Sequence, residues 1–190
     1  MTKLVIRRAT TADAEAIATL INSAYRGESS RAGWTTEADL IDGLRTTTQE
    51  IAALIAQTHL FILVGEYQGK LVATICCEHL IEGHQHKAKL GMISVQPNLQ
   101  NQGFGKQMIL AAEANAIEIW PLDAFCMTVI TARASLIAFY NRLGYLPTGV
   151  VKPFPYESDL WQVKVEGLQF AYFEKPVCHP SEITSVKQTV

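Results

Sequence analysis

The apolar and polar positions along this chain alternate in two rhythms. Near the start, "KLVIRR" (residues 3–8) suits an opening strand. Ile17, Leu20, Ile21 and Ala24 follow at helical spacing behind a capping-box-like pair, Thr10 and Asp13, so a helix is predicted over 11–25. "YRGESSRAGWTTEADL" is rich in Gly and Ser and reads as a functional-sized loop running into a short helix. Thr47 and Glu50 form a second capping box, and Ile51, Leu54 and Ile55 carry a helix to about Gln57. "HLFILVGEY" and "LVATICCEHL" are two strands joined by a tight turn at Gln68-Gly69. The polar "EGHQHK" reads as a loop before a third strand, 88–96, which ends at Pro97. The next helix sets Met108, Ala112, Ala116 and Ile119 on one face, with Lys106 and Glu113 off it. "AFCMTVI" (124–130) is a strand, and Leu136, Phe139, Tyr140 and Leu143 mark a helix stopped by Gly144. "YLPTGVV" and "GLQFAYFEK" are the closing strands.

The predicted order, β-α-α-β-β-β-α-β-α-β-β, is that of a mixed α/β fold: an antiparallel meander, then a crossover. No internal repeat or linker interrupts it, so residues 1–176 are read as one domain and 177–190, polar and irregular, as a loose tail. A length of 190 residues is enough for one proper core.

Charge and cysteine content narrow the function. A formal net charge of −2 gives no electrostatic case for nucleic acid or for an acidic membrane surface. No apolar run reaches the ~18 residues needed to span a bilayer, and the first residues lack the apolar core of a signal peptide. Cys76, Cys77, Cys126 and Cys178 contain no C-x-x-C pair. Adjacent Cys76 and Cys77 fall on opposite sides of a strand as small buried residues, which fits a reducing, cytoplasmic setting. His84 and His86 make an H-x-H in a polar turn with no evident third ligand, so no metal is expected.

The segment "VQPNLQNQGFGKQMI" (95–109) carries the strongest chemical signal. A strand, a short glycine-bearing loop and a helix N-terminus together make an anion cradle. The first helical N–H groups lack partners, and the dipole end is positive. Glycine lets the backbone come close to oxygen atoms, and each N–H donated to a charged oxygen is worth about 1.5–3 kcal/mol. Two familiar phosphate motifs are excluded. Gln100 and Gln107 stand where a Walker A loop needs Gly and Ser/Thr, and Met108 stands where a dinucleotide fingerprint needs its third Gly. Taken alone, Gly103 and Gly105 are also compatible with a simple tight turn.

Two motifs in order carry a family resemblance. Val95-Gln96-Pro97 is followed by Gln100-Asn101-Gln102-Gly103-Phe104-Gly105, and later comes Phe139-Tyr140-Asn141-Arg142-Leu143-Gly144-Tyr145. In spacing and order the chain from Val5 to about Lys175 resembles the GCN5-related N-acetyltransferase (GNAT) superfamily. The resemblance implies a mostly antiparallel central sheet with flanking helices, whose splayed strands near Val95 and 124–130 hold acetyl-CoA as co-substrate. It implies that Gln100, Asn101, Gln102, Gly103, Phe104, Gly105 and Lys106 cradle the pyrophosphate, with the backbone of Ile93, Ser94 and Val95 along the pantetheine and acetyl carbonyl. Many relatives pair, so a homodimer is implied as well.

The chemistry is attack of a neutral amine on a thioester. An alkyl-like amine, with pKa ~10, must lose a proton; the oxyanion must be stabilised, here by a strand N–H; and the leaving thiolate must be protonated. Tyr140 matches the family's tyrosine near the sulfur and can donate that proton, or it is simply a core aromatic of its helix. The base is not evident. Thr128 stands where some members carry a strand Glu, and Arg133 where they carry Asn. Arg133 can reach a phosphate or the acceptor, or cap the helix. Glu78, His79, Glu28 and Glu37 are candidate bases, each equally readable as a surface charge, and a water chain can replace them. Acceptor contacts are sought in 25–40, at Tyr25, Trp34, Thr35 and Glu37, and in "KPFPYE" (152–157). Trp34 is alternatively a staple closing the loop on the core. Glu28 and Glu37 suit a cationic amine. The expected activity is acetyl transfer to a small-molecule or amino-acid-like primary amine. A weakly catalytic coenzyme-binding module and a protein or peptide N-acetyltransferase are the alternatives.

Overall fold

A computed structural model describes residues 3–155 and 158–177. The strands are β1 (Val5–Arg8), β2 (Ile41–Gly43), β3 (Leu60–Tyr67), β4 (Lys70–Glu82), β5 (Gln85–Val95), β6 (Ala124–Ile130), β7 (Leu146–Pro153), β8 (Trp161–Val163) and β9 (Gln169–Pro176). The α-helices are α1 (Ala14–Tyr25), α2 (Thr48–Ile55), α3 (Phe104–Ile119) and α4 (Ala134–Arg142). Among the described residues seven strands form one sheet in the order β1-β3-β4-β5-β6-β9-β7, and β2 pairs with β8 in a small second sheet.

Period-two alternation lets the sheet bury both faces. Leu60, Ile62, Val64 and Cys76 turn toward α1 and α2, where Ile17, Ile21, Ala24, Tyr25 and Ile51 cover them. Phe61, Leu63, Ile75 and Cys77 turn toward α3, which supplies Phe104, Met108, Ile109, Ala112 and Ala116. The adjacent cysteines therefore do take opposite faces. Burial pushes the Cys76 thiol up to about 12, so it behaves as a small apolar group.

One pairing shapes the site. All strand pairs in the large sheet are antiparallel except β5–β6, which is parallel and lasts for only three residue pairs, Lys87–Ala124 to Lys89–Cys126. Beyond Lys89 and Cys126 the two strands part. On the other side of β5 a bulge sets Ile75 of β4 opposite both Met92 and Ile93, with Met92 at φ 50°. The bulge and the parting strands place residues 90–95 along an open crevice.

Several predicted elements shift. "EGHQHK" is mostly strand: β4 runs to Glu82 and β5 starts at Gln85, leaving only a tight turn with Gly83 at φ 63°. Lys87 is held there between Glu82 (2.9 Å) and Glu174 (2.7 Å), which makes a charged residue compatible with the sheet. Glu113 is buried, against expectation, because the Tyr145 hydroxyl donates to it at 2.7 Å and Lys175 Nζ reaches both of its oxygens. Ile119 is 46 % exposed; Trp120 packs instead, stacked on Phe61 and His79. The expected short helix of the 25–40 loop is a 3-10 turn, Glu28–Ala32, and the β2–β8 sheet follows from no strong pattern. Val177, assigned to the tail, is tied by its N–H to the Asp123 carbonyl, and the rest of that segment, with Cys178, lies outside the described residues.

Candidate active site

The glycine loop opens α3. Asn101 and Gly103 both sit at positive φ (65° and 81°), the backbone turn that lets successive N–H groups converge. The first helical bond runs from Gln107 N–H to the Gly103 carbonyl, so Phe104, Gly105 and Lys106 keep N–H groups with no intrahelical acceptor. Phe104 anchors the turn: it is buried and packs on Tyr67. Gln100 ties the loop to its surroundings. Its Oε1 accepts from Trp34 N–H at 2.9 Å, and its Nε2 donates to Thr35 Oγ1 at 2.9 Å and to the Val95 carbonyl at 3.1 Å.

A cavity of about 470 Å³ starts at this loop. Ile93 and Val95 line one wall; Asn101, Gly103, Phe104, Gly105 and Lys106 the loop end; and Ser135, Leu136, Phe139, Tyr140 and Arg142 of the α4 region the other. Lys106 and Arg142 make no ion pair among the described residues.

A second cavity of about 230 Å³ lies beside the first and is lined by Tyr25, Glu37, Arg45, Lys89, Met92, Thr128 and Arg133, among others. Ile93, Leu136 and Tyr140 border both cavities. The Tyr140 hydroxyl has no hydrogen-bond partner among the described residues, and its burial pushes its pKa well above the ordinary tyrosine value. It is therefore a protonated phenol placed where the two spaces meet.

The backbone of β5 faces the same junction. Gln96 N–H bonds the Val72 carbonyl, so the alternation of the ladder turns Ser94 toward β4 and the polar groups of Ile93 and Val95 toward the crevice. Tyr25 donates its hydroxyl to the Ile93 carbonyl at 2.5 Å.

Above the second cavity lies a buried ion cluster. Glu37 is 3 % exposed, and both its oxygens are engaged: Oε1 by Arg133 at 2.8 Å, Oε2 by Arg26 and by Arg45 at 3.1 Å. Burial by itself would push this carboxyl up; Arg45, Arg133 and Arg26 outweigh it and hold it below the ordinary value.

Several expected site residues are displaced by these contacts. Arg133 borders the second cavity and not the first, because the buried Glu37 carboxylate and the Thr35 carbonyl (2.6 Å) take its guanidinium; it stands at the N-cap of α4, but its side chain makes no capping bond. Glu37 is an ion-pair hub and not a free anion or base. Trp34 stands on the side of the first cavity, edge-on to Phe139 as a staple would be, and does not border the second cavity. Tyr25 does border the second cavity. Ser94 is buried with its hydroxyl on the Met92 carbonyl, and Gln102 is exposed; neither borders the first cavity. Among the other candidate bases, Glu28 pairs with Arg31, Glu78 lies 3.7 Å from His59, and His79 is stacked between His86 and Trp120; none borders either cavity. Phe154 of the 152–157 stretch is buried against Trp161 and Phe170, while 156 and 157 lie outside the described residues. Among the described residues no three His, Cys, Asp or Glu side chains gather as a metal site. Arg142 and Arg45 were not assigned from sequence; Arg142 sits inside the second motif, but nothing in the pattern marks Arg45.

A parallel pair that parts after three residues, a bulged strand facing the gap and a glycine cradle at the next helix define a coenzyme-dependent acyltransferase. The sequence matches the model of the acetyltransferase (GNAT) family over residues 15–145, and the chain belongs to that family. It is therefore an N-acetyltransferase that depends on acetyl-CoA. No curated protein sequence matches it. Among solved structures it is similar to the ribosomal-protein-alanine N-acetyltransferase from Brucella melitensis, at 20% identity and a TM-score of 0.67, over 92% of this chain and 100% of that one. It is also similar to yncA from Salmonella typhimurium with acetyl-CoA (17%, TM-score 0.67, 93% and 95% covered). NAA60 of Arabidopsis thaliana in complex with acetyl-CoA gives 10% identity and a TM-score of 0.69, with 92% and 98% covered. At these identities the likeness is one of fold.

The residues present fit the coenzyme. Among the described residues three helix-start N–H groups have no intrahelical acceptor, two cations at the cavity wall have no carboxylate partner, and a Cβ on Gly105 would stand 3.9 Å from Phe139 and Val95, two other lining residues of the same cavity.

Proposed function

We propose that this N-acetyltransferase acts by direct transfer on the primary amine of a small-molecule or amino-acid-like acceptor that enters through the second cavity. The observation that carries this reading is the meeting of the two cavities at Ile93, Leu136 and Tyr140. The volume of the second cavity, about 230 Å³, lies below the range common for drug-sized ligands and favours a compact acceptor over a peptide.

Acetyl-CoA supplies an activated acetyl thioester. The N–H groups of Phe104, Gly105 and Lys106 bind its phosphate oxygens, aided by the charges of Lys106 and Arg142. Apolar Ile93, Val95, Leu136 and Phe139 exclude water from the rest of the channel. The backbone N–H groups of Ile93 and Val95, turned toward the crevice, are the donors for the oxygen on which charge develops. Tyr140, at the junction of the two cavities, is the group placed to give its proton to the departing sulfur, and water in the second cavity returns a proton to it. Glu37 does not accept the amine proton, since three arginines hold it as a satisfied carboxylate. Water in the second cavity takes that proton, with Thr128 on the wall where a carboxylate would otherwise stand.

Thiol release from acetyl-CoA against a panel of amines, amino acids and short peptides tests this proposal. Turnover confined to small amines or amino acids is the expected result. Turnover confined to peptides would replace the acceptor class.

A further inference from the structure

We propose that the acceptor carries an acidic group, a carboxylate or comparable oxyanion, and that Arg45 receives it in the second cavity with Arg133 and Lys89 beside it. This rests on the acetyl-transfer reading above and reverses the expectation, drawn from Glu28 and Glu37, of a cationic acceptor.

The charges around the second cavity do not balance. Arg45, Arg133 and Lys89 line the cavity against a single carboxylate, Glu37. The surrounding elements do not restore the balance. Arg26 adds a further buried cation from the end of α1, while Glu78 on β4, 3.8 Å from Lys89, adds one anion and does not line the cavity. Two positive charges remain in excess. Glu37 cannot neutralise more, because Arg133, Arg26 and Arg45 already occupy both of its oxygens. A partly buried excess of one sign is unfavourable until a counter-charge arrives.

Arg45 is the group placed to meet that counter-charge. Among the described residues its guanidinium spends only Nη1 on Glu37, and 29% of its side chain stays accessible. It is also held ready. Asn22 of α1 accepts from Arg45 N–H at 2.7 Å and donates to the Thr46 carbonyl at 2.9 Å, and the guanidinium lies 4.4 Å from the Tyr25 ring centre. A guanidinium with a free edge binds a carboxylate through two parallel hydrogen bonds. Tyr25, Arg45 and Tyr140 border one small chamber, so an acid held at Arg45 and an amine at the Tyr140 junction belong to one compact molecule. An α-amino acid carries both groups on such a frame. A polyamine would add like charge to the chamber.

Matched acceptor pairs test the proposal: phenylalanine against phenethylamine, tyrosine against tyramine, and methionine against 3-(methylthio)propylamine, with spermidine as the cationic control. kcat/KM from thiol release and thermal stabilisation by the corresponding N-acetyl products are read for wild type, Arg45→Gln, Arg45→Lys and Lys89→Gln, each also checked for stabilisation by acetyl-CoA. The wild type is expected to favour the acid-bearing member, in turnover or product binding, by about tenfold or more. Arg45→Gln should erase that preference, Arg45→Lys keep part of it and Lys89→Gln weaken it, while acetyl-CoA still stabilises every variant. Equal treatment of the pair members in both readouts, preference for the amines or spermidine, or an Arg45→Gln protein that keeps its discrimination would overturn the proposal. A wild type that acetyl-CoA fails to stabilise would instead bring down the acetyl-transfer reading and this proposal with it.

Discussion

At the scale of single residues, the site depends on two buried groups with opposite tasks. The Tyr140 phenol stays protonated at the junction of the cavities, its hydroxyl without a hydrogen bond among the described residues, so Tyr140→Phe should lower kcat by about 10²–10⁴-fold, the span of a lost general acid. Stabilisation by acetyl-CoA should persist, and unchanged turnover would remove Tyr140 from the chemistry. Glu37 is structural. Glu37→Gln leaves three arginines without their anion and should cost about 3–5 kcal/mol in urea unfolding. The pH dependence follows from its depressed pKa. The stabilisation is complete above the ordinary carboxyl value of 4.5 and is lost as pH falls through the lower folded value. The urea midpoint of the wild type should therefore drop more steeply below pH 4.5 than that of Glu37→Gln. The residue types at these positions were plain in the sequence, but their roles were not. Tyr140 was placed by its motif. Glu37 looked like a solvated loop charge because its three partners lie before, after and far beyond it, at 26, 45 and 133.

At the scale of elements, the loop that opens α3 and the segment that covers it act together. Gln100 joins Trp34, Thr35 and Val95, so Gln100→Ala frees the cover from the end of β5. The loss of these bonds, each worth about 1 kcal/mol, should raise the KM for acetyl-CoA more than it lowers kcat. Gly103 shows a purely conformational need: a Cβ there meets nothing within 4 Å, but φ is 81°. Gly103→Ala should cost about 1–2 kcal/mol of stability from backbone strain alone. The elements were mostly legible because each carries a local signal. Thr47 and Glu50 form the capping box their spacing indicated, and Gln68-Gly69 forms the turn. What escaped was tertiary. Glu113 sits inside because Tyr145 and Lys175 meet it there, and three-residue β2 exists because Ile41–Gly43 finds Trp161–Val163 across the chain. Gly43 fits only as glycine, since a Cβ would stand 2.3 Å from the Leu160 carbonyl oxygen.

At the scale of the whole molecule, function follows from where the sheet fails to close. β5 and β6 pair for three residues and then diverge, and the first cavity, the second cavity and the bulge at Met92 all lie along that divergence. The family motifs indicated the coenzyme side of this gap. The second cavity is built from residues of 25–45, β5, β6, β9, α4 and the residue ahead of α4, which meet only in the folded chain, so its positive charge could not be read from linear order.

On the proposed function, acetyl transfer occurs where the two cavities meet at Tyr140. A crystal structure of the protein with coenzyme A bound tests it most directly. Phosphate oxygens are expected on the N–H groups of Phe104, Gly105 and Lys106, and the sulfur within hydrogen-bonding reach of the Tyr140 hydroxyl. A coenzyme seated in the cradle with its sulfur turned away from Tyr140 and the second cavity would contradict it.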